Sequence, residues 1–534
     1  MDCNRMDCSR RDFLKQACLG TVAMSVPAFI APRRARAQNA AASKSRRPNI
    51  IFLVDDQHRW DALGIVNPRV KTPNLDRLAR EGIHFDQAVC QAPMCVPSRY
   101  SFMLGLYPSQ IGIRMNMPGL SDKDLPGVPL PEQLRCAGYQ TAGFGKTHWS
   151  SKGCSTRGFE VRAIGQNRQG ELYEKGAIMM TDVNPRGYNA YMEETKPFGP
   201  GEEEVPGYIG MTSKLQEEDH RDGFVTRQCL DFLDKQRDES RPLFLYLSFL
   251  KPHAGMNVPA GFEDLYNLDE IPDIQQPPWS EDRSGHANVN RQPPFLANRH
   301  RRYISYWKQS TPRERKQMVL RYWANCSWID DMFGRVLDKC REKGILDNCL
   351  IMYTSDHGEM LGDQYYRFNK YCLYEASVRV PLIVSGSWLE ASNRGIVDSR
   401  PAELVDILPT FLQAANAASD PRLPGSSLLG PVQRKAAFCE YHSGKGAEQL
   451  GPSYMWRSKD WKLIIYLDGK IENAVAEQNC IKGELYHLAD DPREWNNLFD
   501  DPRHSGRREA MTRELLMHLA VAWGRFPGGK NGCR

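Results

Sequence analysis

Two adjacent pairs of metal-binding residue types, Asp55-Asp56 and Asp356-His357, each follow a continuous apolar run. Neighbouring carboxylates repel each other, so burying them requires a cation nearby. Their hard oxygen atoms suit calcium or magnesium. Either pair alone would more often be a solvated acidic turn. Because an oxygen-rich metal site draws its ligands from several elements, two pairs of the same form predict a divalent-metal site.

Cys95 offers a different chemistry, that of a nucleophile. It begins the segment Cys-Val-Pro-Ser-Arg and stands just before the apolar stretch 100–106. If that stretch is helical, the partial positive charge of the helix N-terminus favours an anion at Cys95. Arg99, one turn further along, adds a full positive charge. The segment therefore predicts a reactive side chain in an anion-binding position, with a buried structural cysteine as the alternative.

These residues are far apart in the sequence and need a scaffold that brings strand ends together. Strands that alternate with helices predict an α/β fold with a mainly parallel sheet flanked by helices. In such a sheet, polar residues at the carboxyl ends of the strands converge in one crevice. Four apolar runs indicate buried strands, at 49–54, 243–249, 350–355 and 380–384. Three segments have helical spacing, at 73–81, 130–137 and 314–343.

Other parts of the chain have a different character. The stretches 151–210 and 255–311 are rich in Pro, Gly, Asn and Arg and are predicted to be long loops that shape access to a site. Further on, 461–466 and 484–488 are typical of antiparallel strands, and 508–523 is typical of a helix. The predicted domains are a catalytic domain at 48–424 and a smaller C-terminal α+β subdomain at 425–534.

The N-terminal segment is typical of an export signal. Arg10-Arg11 precede a weakly apolar stretch at 17–31, and Ala35-Arg36-Ala37 is a small-x-small cleavage motif. A twin arginine in this position resembles a twin-arginine signal. Polar residues and a proline interrupt the apolar stretch, which argues against a stable membrane span. We predict a signal peptide at 1–37, a linker at 38–47, transport by the twin-arginine export machinery, and a periplasmic or secreted location.

Composition narrows the function classes. The net charge is only +5, and no long Lys/Arg run with interleaved aromatics follows the N-terminal segment, so we predict no nucleic-acid partner. Hydrophobic residues make up 41% and charged residues 25%, as in an ordinary soluble globular protein. The 15 cysteines include no CxxC pair, which argues against a structural zinc site or a disulfide scaffold. Most of them are predicted to be buried free thiols.

The segment 95–99, followed by Gly105, resembles the signature of the sulfatase family. A second signature of the same family matches 138–148. The resemblance spans nearly all of the chain after the predicted linker. The further motifs come in the family's order: Asp55-Asp56, Lys251-Pro252-His253, Asp356-His357-Gly358, Lys370 before Tyr374-Glu375, Arg379-Val380-Pro381, Glu484-Leu485-Tyr486 and Asp491-Pro492.

This resemblance implies an alkaline-phosphatase-like fold and hydrolysis of a sulfuric ester. It implies that a formylglycine-generating maturase oxidises Cys95 to formylglycine. The hydrated aldehyde attacks sulfur and later expels sulfate, which splits one difficult step into two easier ones. The resemblance also implies Ca²⁺ or another divalent metal, held by Asp55, Asp56, Asp356 and His357 beside the modified Cys95.

The resemblance also assigns roles to five polar side chains. Arg99 and Lys146 would stabilise charge that develops on the nucleophile. His148 would take the proton of the second hydroxyl, while His253 and Lys370 would hold sulfate and help to protonate the leaving oxygen. Three of these residues also have a plain structural alternative: Lys146 as a surface lysine, Lys370 paired with Glu375, and His253 as a cap on a strand end.

The chain departs from the family pattern at three positions. Leu104 and Leu106 stand where the family often has Thr and Arg, and those positions help the maturation machinery to recognise the segment. His357 stands where many relatives have Asn. A His ligand is softer than Asn and extends the choice of metal to other divalent ions.

Two other functions fit the same residues. A phosphonate monoester or phosphodiester hydrolase of the same superfamily would act on a group with the shape of sulfate. A catalytically inactive exported binding protein would keep the fold, although every expected polar position of the site is filled. We predict an organic sulfate monoester as substrate and favour a carbohydrate sulfate, with an aryl sulfate or choline sulfate as alternatives. The residues considered for substrate contacts are Arg157, Arg162, Arg168, Trp279, Arg283, Glu440, His442 and Lys445.

Overall fold

The computed structural model describes residues 47–524, apart from gaps at 117, 152, 169–171, 197–207, 279–293, 432–433, 443–451 and 468–480. The predicted signal peptide, and the predicted linker up to residue 46, lie outside the described residues. So do Trp279, Arg283 and Lys445. No helix in the described part of the chain is both long enough and apolar enough to cross a membrane.

Strands and helices alternate along the first four-fifths of the chain. The strands, numbered in chain order, are β1 (Asn49–Asp56), β2 (Ile83–Phe85), β3 (Ala88–Val89), β4 (Gln140–Gly145), β5 (Val161–Ile164), β6 (Ile178–Met179), β7 (Met211–Ser213), β8 (Leu243–Pro252), β9 (Asn257–Pro259), β10 (Cys349–Ser355), β11 (Leu382–Ser385), β12 (Ile396–Asp398), β13 (Ala402–Glu403), β14 (Ala437–His442), β15 (Pro452–Arg457), β16 (Trp461–Leu467) and β17 (Ile481–His487). The longer helices are α1 (Pro73–Glu81), α2 (Cys95–Leu104), α3 (Leu130–Cys136), α4 (Pro185–Thr195), α5 (Arg221–Lys235), α6 (Pro294–Gln309), α7 (Pro312–Glu342), α8 (Ile407–Ala414) and α9 (Ser505–Gly524).

A nine-stranded sheet lies at the centre, in the order β12-β2-β11-β10-β1-β8-β4-β5-β6. The pairs β10-β1, β1-β8 and β8-β4 are parallel. Among the described strands of this sheet, only β11 runs against its neighbours. The predicted α/β fold with a mainly parallel sheet is therefore confirmed. The predicted strand at 380–384 corresponds to the antiparallel member, β11.

Burial on both faces explains why the central strands are continuous apolar runs. In β1, Ile50, Phe52 and Val54 pack into one hydrophobic core, whereas Ile51 and Leu53 pack into another. Helices α2 and α8 contribute to the first core. Helices α1, α5 and α7 contribute to the second. The sheet is therefore enclosed between two layers of helices, so polar side chains can reach solvent only near the strand ends.

Four candidate site residues start from neighbouring strand ends. Asp56 is the last residue of β1, and Asp356 directly follows β10. His253 directly follows β8, and Lys146 directly follows β4. These four strands are adjacent in the sheet and parallel, so their carboxyl ends share one edge. The topology thereby brings together side chains that are far apart in the sequence.

The two stretches predicted as long loops contain regular structure, so that prediction was wrong in part. Strands β5 and β6 and helix α4 fall within 151–210, and helix α6 falls within 255–311. In β5, Arg162 is buried because its guanidinium pairs with Glu174, with 2.9 Å between Nε and Oε2. A polar composition was a poor guide here, since buried partners neutralise the charges.

The C-terminal part carries a separate antiparallel sheet in the order β14-β15-β16-β17, followed by α9. The strands predicted at 461–466 and 484–488 and the helix predicted at 508–523 are confirmed, with their ends shifted by a few residues. Side chains of the sheet and of α9 share one hydrophobic core. The predicted boundary after residue 424 stays a prediction.

A buried ion pair joins the C-terminal sheet to the residues that follow β10. Arg457 donates to both carboxylate oxygens of Glu375, at 2.8 Å each, and Lys462 Nζ lies 3.2 Å from the same carboxylate. We expect Arg457→Met to lower the free energy of unfolding by about 3 kcal/mol, because it leaves a buried charge poorly compensated. Urea denaturation measures this loss. Arg503→Met is the matched control, since Arg503 is 82% exposed beside Asp501 and its loss should leave stability nearly unchanged. Equal stability of the two variants would contradict the role of the buried pair.

Candidate active site

Cys95 is the first residue of helix α2, and the preceding Met94 has an extended backbone. The helix therefore begins at the cysteine, earlier than the predicted start at Tyr100. It ends at Gly105, whose φ of 67° is left-handed. This conformation favours glycine, and a Cβ atom there would also press on the side chain of Leu408, 2.7 Å away. The positive end of the helix lies at Cys95, as the anion-binding prediction requires.

Four buried side chains meet at the carboxyl edge of the large sheet. One ligand atom from each of Asp56, Cys95, Asp356 and His357 lies within 4.8 Å of the others. Cys95 Sγ is 3.6 Å from Asp56 Oδ1 and 3.1 Å from His357 Nε2. Carboxylate, thiolate and imidazole groups at such separations can hold a divalent metal. The two sequence pairs and the cysteine thus contribute to one cluster, which we call the ligand cluster.

Positive side chains balance the carboxylates of the ligand cluster. Arg99 Nε is 2.6 Å from Asp356 Oδ2, and Arg99 Nη2 is 3.2 Å from Asp56 Oδ2. Lys146 Nζ donates to the same Asp56 oxygen at 2.6 Å, and all four side chains are buried. Burial raises the pKa of Asp56, but the nearby positive charges, Lys146 foremost, hold that pKa well below its usual range. Lys146 is therefore buried against the ligand cluster, and the alternative of a surface lysine is wrong.

Asp55 differs from the other predicted metal ligands, because it lies outside the ligand cluster. Its Oδ2 atom is 2.7 Å from His58 Nδ1 and 2.7 Å from the Tyr353 hydroxyl. Its Oδ1 atom is buried and has no hydrogen-bond partner among the described residues. One oxygen of this carboxylate is thus committed to the protein, and the other is available to a cation.

Lys370 and His253 reach the same cysteine from separate parts of the chain. Lys370 Nζ is 3.2 Å from Cys95 Sγ and 3.1 Å from His253 Nε2. His253 Nε2 is in turn 3.8 Å from Asp56 Oδ1. Arg457 and Lys462 of the C-terminal sheet bind the Glu375 carboxylate, which argues against the alternative that Lys370 pairs with Glu375. Both predicted sulfate-holding residues therefore border the cysteine.

His148 also contacts Cys95, through a side-chain hydrogen bond. Its backbone has a left-handed φ of 56°, a conformation uncommon outside glycine and often found at functional sites. Burial raises the pKa of the Cys95 thiol, but the charges of Lys146 and Lys370 and this hydrogen bond hold the pKa well below its ordinary value. The surroundings of Cys95 therefore favour an anion.

Gln57 is a site residue that the sequence pattern did not reveal. It follows Asp56 directly, is fully buried, and has a left-handed φ of 71°. Its side-chain oxygen accepts from Lys370 Nζ at 2.8 Å, and its backbone N–H donates to Asp356 Oδ1 at 3.1 Å. Its side-chain nitrogen donates to Glu359. One residue thus orients two members of the site, and its position next to Asp56 was the signal available in the sequence.

The described residues considered for substrate contacts have structural partners. Arg157, Arg162 and Glu440 are buried, and their charges are paired with other side chains of the protein. These contacts stabilise the fold and give no support to the substrate role considered for these residues. The pairs are Arg157 with Asp122, Arg162 with Glu174, Arg168 with Asp182, and His442 with Glu440.

The fold is alkaline-phosphatase-like, as the sulfatase resemblance implied. A family model described as "Sulfatase" matches residues 48–417. A second, described as "N-sulphoglucosamine sulphohydrolase, C-terminal", matches residues 363–520. The chain therefore belongs to the sulfatase family and is a sulfuric ester hydrolase.

Individual relatives agree with this family assignment. The chain is 25% identical over 489 residues to an arylsulfatase of Clostridium perfringens, covering 89% of this chain and 94% of that protein. It is 25% identical over 538 residues to an N-acetylglucosamine-6-O-sulfatase of Bacteroides thetaiotaomicron, covering 89% and 87%. Among solved structures, a phosphonate monoester hydrolase of Agrobacterium radiobacter shares the fold, with a TM-score of 0.72 and 22% identity over 89% of this chain and 96% of that one.

Proposed function

We propose that the chain hydrolyses an organic sulfate monoester, with a carbohydrate sulfate as substrate, through a formylglycine made from Cys95 and a divalent metal. The observation that carries the proposal is the position of Cys95 at the start of α2, inside the ligand cluster and 3.2 Å from Lys370 Nζ. A sulfate ester presents a tetrahedral anion. Its hydrolysis needs a nucleophile surrounded by groups that stabilise negative charge, and this environment provides them.

Asp56, Asp356, His357 and the modified Cys95 would hold the metal, with Asp55 Oδ1 as a further oxygen ligand. The buried Asp55 Oδ1, without a hydrogen-bond partner among the described residues, supports this set. A buried carboxylate oxygen is costly to leave unpaired, and a cation would satisfy it. The predominance of carboxylate oxygens favours Ca²⁺ or another hard divalent ion. Once bound, the metal would polarise a sulfate oxygen and favour the ionised nucleophile.

Arg99 and Lys146 would stabilise the charge that develops on the nucleophile. Both bind the Asp56 carboxylate, so their charges lie at the base of the site. The guanidinium of Arg99 is also held by the Lys146 backbone oxygen at 2.7 Å and by Ser248 Oγ at 2.9 Å. Because these contacts exist before the substrate binds, little reorganisation is needed during the reaction.

Lys370 and His253 would hold the sulfate group and supply a proton to the leaving oxygen. Their nitrogen atoms are 3.1 Å apart, so a proton can be shared between them. His148 contacts the Cys95 side chain and would accept the proton that the nucleophile must lose. These are acid and base roles of the kind that positioned histidine and lysine side chains perform.

The identity of the relatives supports a carbohydrate sulfate as substrate. A curated protein covered over 87% of its length acts, by its name, on N-acetylglucosamine 6-O-sulfate. Another is named an arylsulfatase, so an aryl sulfate is kept as an alternative substrate. Choline sulfate is kept as a further alternative. Export through the twin-arginine machinery is part of the proposal and rests on residues 1–37 of the sequence.

A phosphonate monoester or phosphodiester hydrolase is the second candidate, because a phosphonate monoester hydrolase shares the fold. Sulfate and phosphonate groups are both tetrahedral, so the geometry of the site alone does not distinguish the two kinds of substrate. The complete set of polar side chains argues against an inactive binding protein.

The test is to produce the protein with an active maturase and compare kcat/KM for an aryl sulfate, sulfated monosaccharides and an aryl phosphonate monoester. We expect the sulfate esters to be preferred by at least about tenfold, equivalent to about 1.4 kcal/mol in transition-state binding. Faster turnover of the phosphonate would favour the second candidate. Absence of turnover on every ester, with the aldehyde present, would support the inactive protein.

Lys370→Ala should reduce kcat on a sugar sulfate by about 100-fold or more, because the leaving alcohol needs a proton. The reduction should be much smaller for 4-nitrophenyl sulfate, whose phenolate leaves without protonation. Steady-state kinetics on the two substrates measures the difference. Lys235→Ala is the control, since Lys235 is 69% exposed beside Asp231. An equal loss on both substrates would remove Lys370 from proton transfer and leave it a sulfate-holding role.

A further inference from the structure

A cavity of about 530 Å³ lies among the segments that follow Asp55-Asp56 and Asp356-His357, and the proposed mechanism does not use it. Its lining includes Trp60 and Asp61, shortly after Asp56, and Asp363 and Gln364, shortly after His357. Trp323 of α7, Tyr374 and Trp495 are the other aromatic residues of the wall. The volume is within the range of small-molecule sites.

Gln364, in the cavity wall, carries an acceptor that no described residue satisfies. Its side chain is 3% exposed, and its backbone has a left-handed φ of 53°. Its side-chain nitrogen donates to the backbone oxygens of Arg493 at 2.5 Å and Glu494 at 2.9 Å, which fixes the amide. Its side-chain oxygen is buried and has no hydrogen-bond partner in the described part of the chain. Because an unpaired buried acceptor is costly, a donor on a bound molecule would stabilise this arrangement.

Acidic side chains outnumber basic ones in the cavity wall, which argues against an anionic ligand. Arg59 Nε lies 2.7 Å from Asp61 Oδ1, and Arg59 Nη2 lies 2.9 Å from Asp363 Oδ2. The remaining nitrogen, Nη1, donates to the backbone oxygens of Glu359 and Met360 at 3.0 and 3.1 Å. Since the protein itself engages every nitrogen of this guanidinium, it is not available to bind a sulfate or carboxylate group. The carboxylates and the Gln364 oxygen are acceptors and match hydroxyl donors.

The aromatic side chains define the class of ligand more closely. Trp60 and Trp495 are partly exposed, and Trp323 keeps 7% of its surface accessible. The Arg379 guanidinium lies 3.6 Å from the Trp60 ring centre and the Arg493 guanidinium 5.2 Å from that of Trp495, so Trp495 is the less closely covered stacking surface. Indole rings offer flat apolar faces. A pyranose ring has an apolar C–H face and a rim of hydroxyl donors, which complements indole faces bordered by carboxylate and amide oxygens.

We propose that this cavity binds a neutral sugar unit of a glycan, as a subsite distinct from the ligand cluster. The proposal rests on the proposed function for the choice of a glycan and adds a second point of contact. A glycan held there would raise the local concentration of its sulfated units near Cys95.

The experiment measures binding separately from turnover. Calorimetric titration of the Cys95→Ala protein uses chemically desulfated tetrasaccharides from heparin, chondroitin sulfate and carrageenan, each beside its sulfated form. We expect at least one desulfated tetrasaccharide to bind, and Trp495→Ala to weaken that binding about tenfold or more. Trp388→Ala, a change of a partly buried tryptophan outside the cavity, should leave it unchanged.

Two further measurements keep the result interpretable. With Cys95 intact, Trp495→Ala should retain the melting temperature and the kcat/KM on an aryl sulfate, which has no sugar unit to occupy the cavity. Trp60→Ala is the second binding variant and should act in the same direction as Trp495→Ala. Binding that is absent for all desulfated tetrasaccharides, or insensitive to both cavity tryptophans, would overturn the proposal. Loss of sulfate ester turnover with cavity binding intact would instead count against the proposed function alone.

Discussion

Cys95→Ala should abolish sulfate ester hydrolysis, with kcat reduced by about 10⁴-fold or more, as when the nucleophile of a hydrolase is removed. The variant keeps Asp56, Asp356 and His357 and the start of α2, so it removes the nucleophile together with one proposed metal ligand. Mass spectrometry of the peptide containing position 95 provides the second readout. In the parent protein the side chain should lose sulfur and two hydrogens and gain one oxygen, which identifies the aldehyde.

The matched control is Cys229→Ala, because Cys229 is another fully buried thiol, whose burial raises its pKa well above the ordinary value. This variant should retain activity, since Cys229 lies in a hydrophobic core away from the ligand cluster. Cys95→Ser is the informative second variant, because it keeps a hydroxyl at the same position. A serine left unconverted should be as inactive as alanine, since a single hydroxyl cannot expel sulfate after the first step.

Leu104 and Leu106 replace residues that help the maturase to recognise the segment, so conversion of Cys95 has to be measured directly. If Cys95 remains a thiol with a maturase that converts a control peptide, these departures prevent recognition. Turnover by the unconverted protein at the parent rate would contradict the formylglycine mechanism. In either case the mass of the peptide and the kinetics must agree, which separates failed maturation from an incorrect nucleophile.

Asp56→Asn should remove both the metal and the activity, with kcat/KM reduced by at least about 100-fold. Asparagine preserves the shape of the side chain but removes the negative charge at the centre of the ligand cluster. It also leaves Lys146, which is 2.6 Å away, without the charge that compensates it. The buried charges of Lys146 and Arg99 would then repel the divalent cation that the Asp56 carboxylate attracts in the parent protein.

The metal content is measured by elemental mass spectrometry after dialysis, and activity is measured on the same sample. The control is Asp338→Asn, an exposed aspartate that pairs with Arg341 on the surface of α7. We expect about one divalent ion per chain in the parent and in the control, and almost none in Asp56→Asn. A full complement of metal in Asp56→Asn would show that this carboxylate is not a ligand. Recovery of the parent, after chelation, by one particular ion would identify the metal.

Much of the fold was predictable from local sequence. The runs at 49–54, 243–249 and 350–355 became central strands, because a strand buried on both faces has to be apolar throughout. The long helix α7 was predictable because its buried apolar residues recur at helical spacing. The errors fell in 151–210 and 255–311, where Arg and Pro suggested loops. In 151–210, Arg162 of β5 is buried in an ion pair with Glu174, 12 residues further along, and such a pair leaves no pattern at strand or helix spacing.

The sequence by itself determined which residue types the candidate site contains: a cysteine at a helix start, two pairs of metal-binding residue types after strands, and basic residues in family motifs. Those features depend on residue type and short spacing. Only the tertiary structure decided that Gln57 orients Lys370, and that His58 and Tyr353 bind one oxygen of Asp55 while leaving the other available. The reason is physical: β10, β1, β8 and β4 are neighbours only in the folded sheet, and side chains at their ends meet through strand order, which spacing along the chain does not specify.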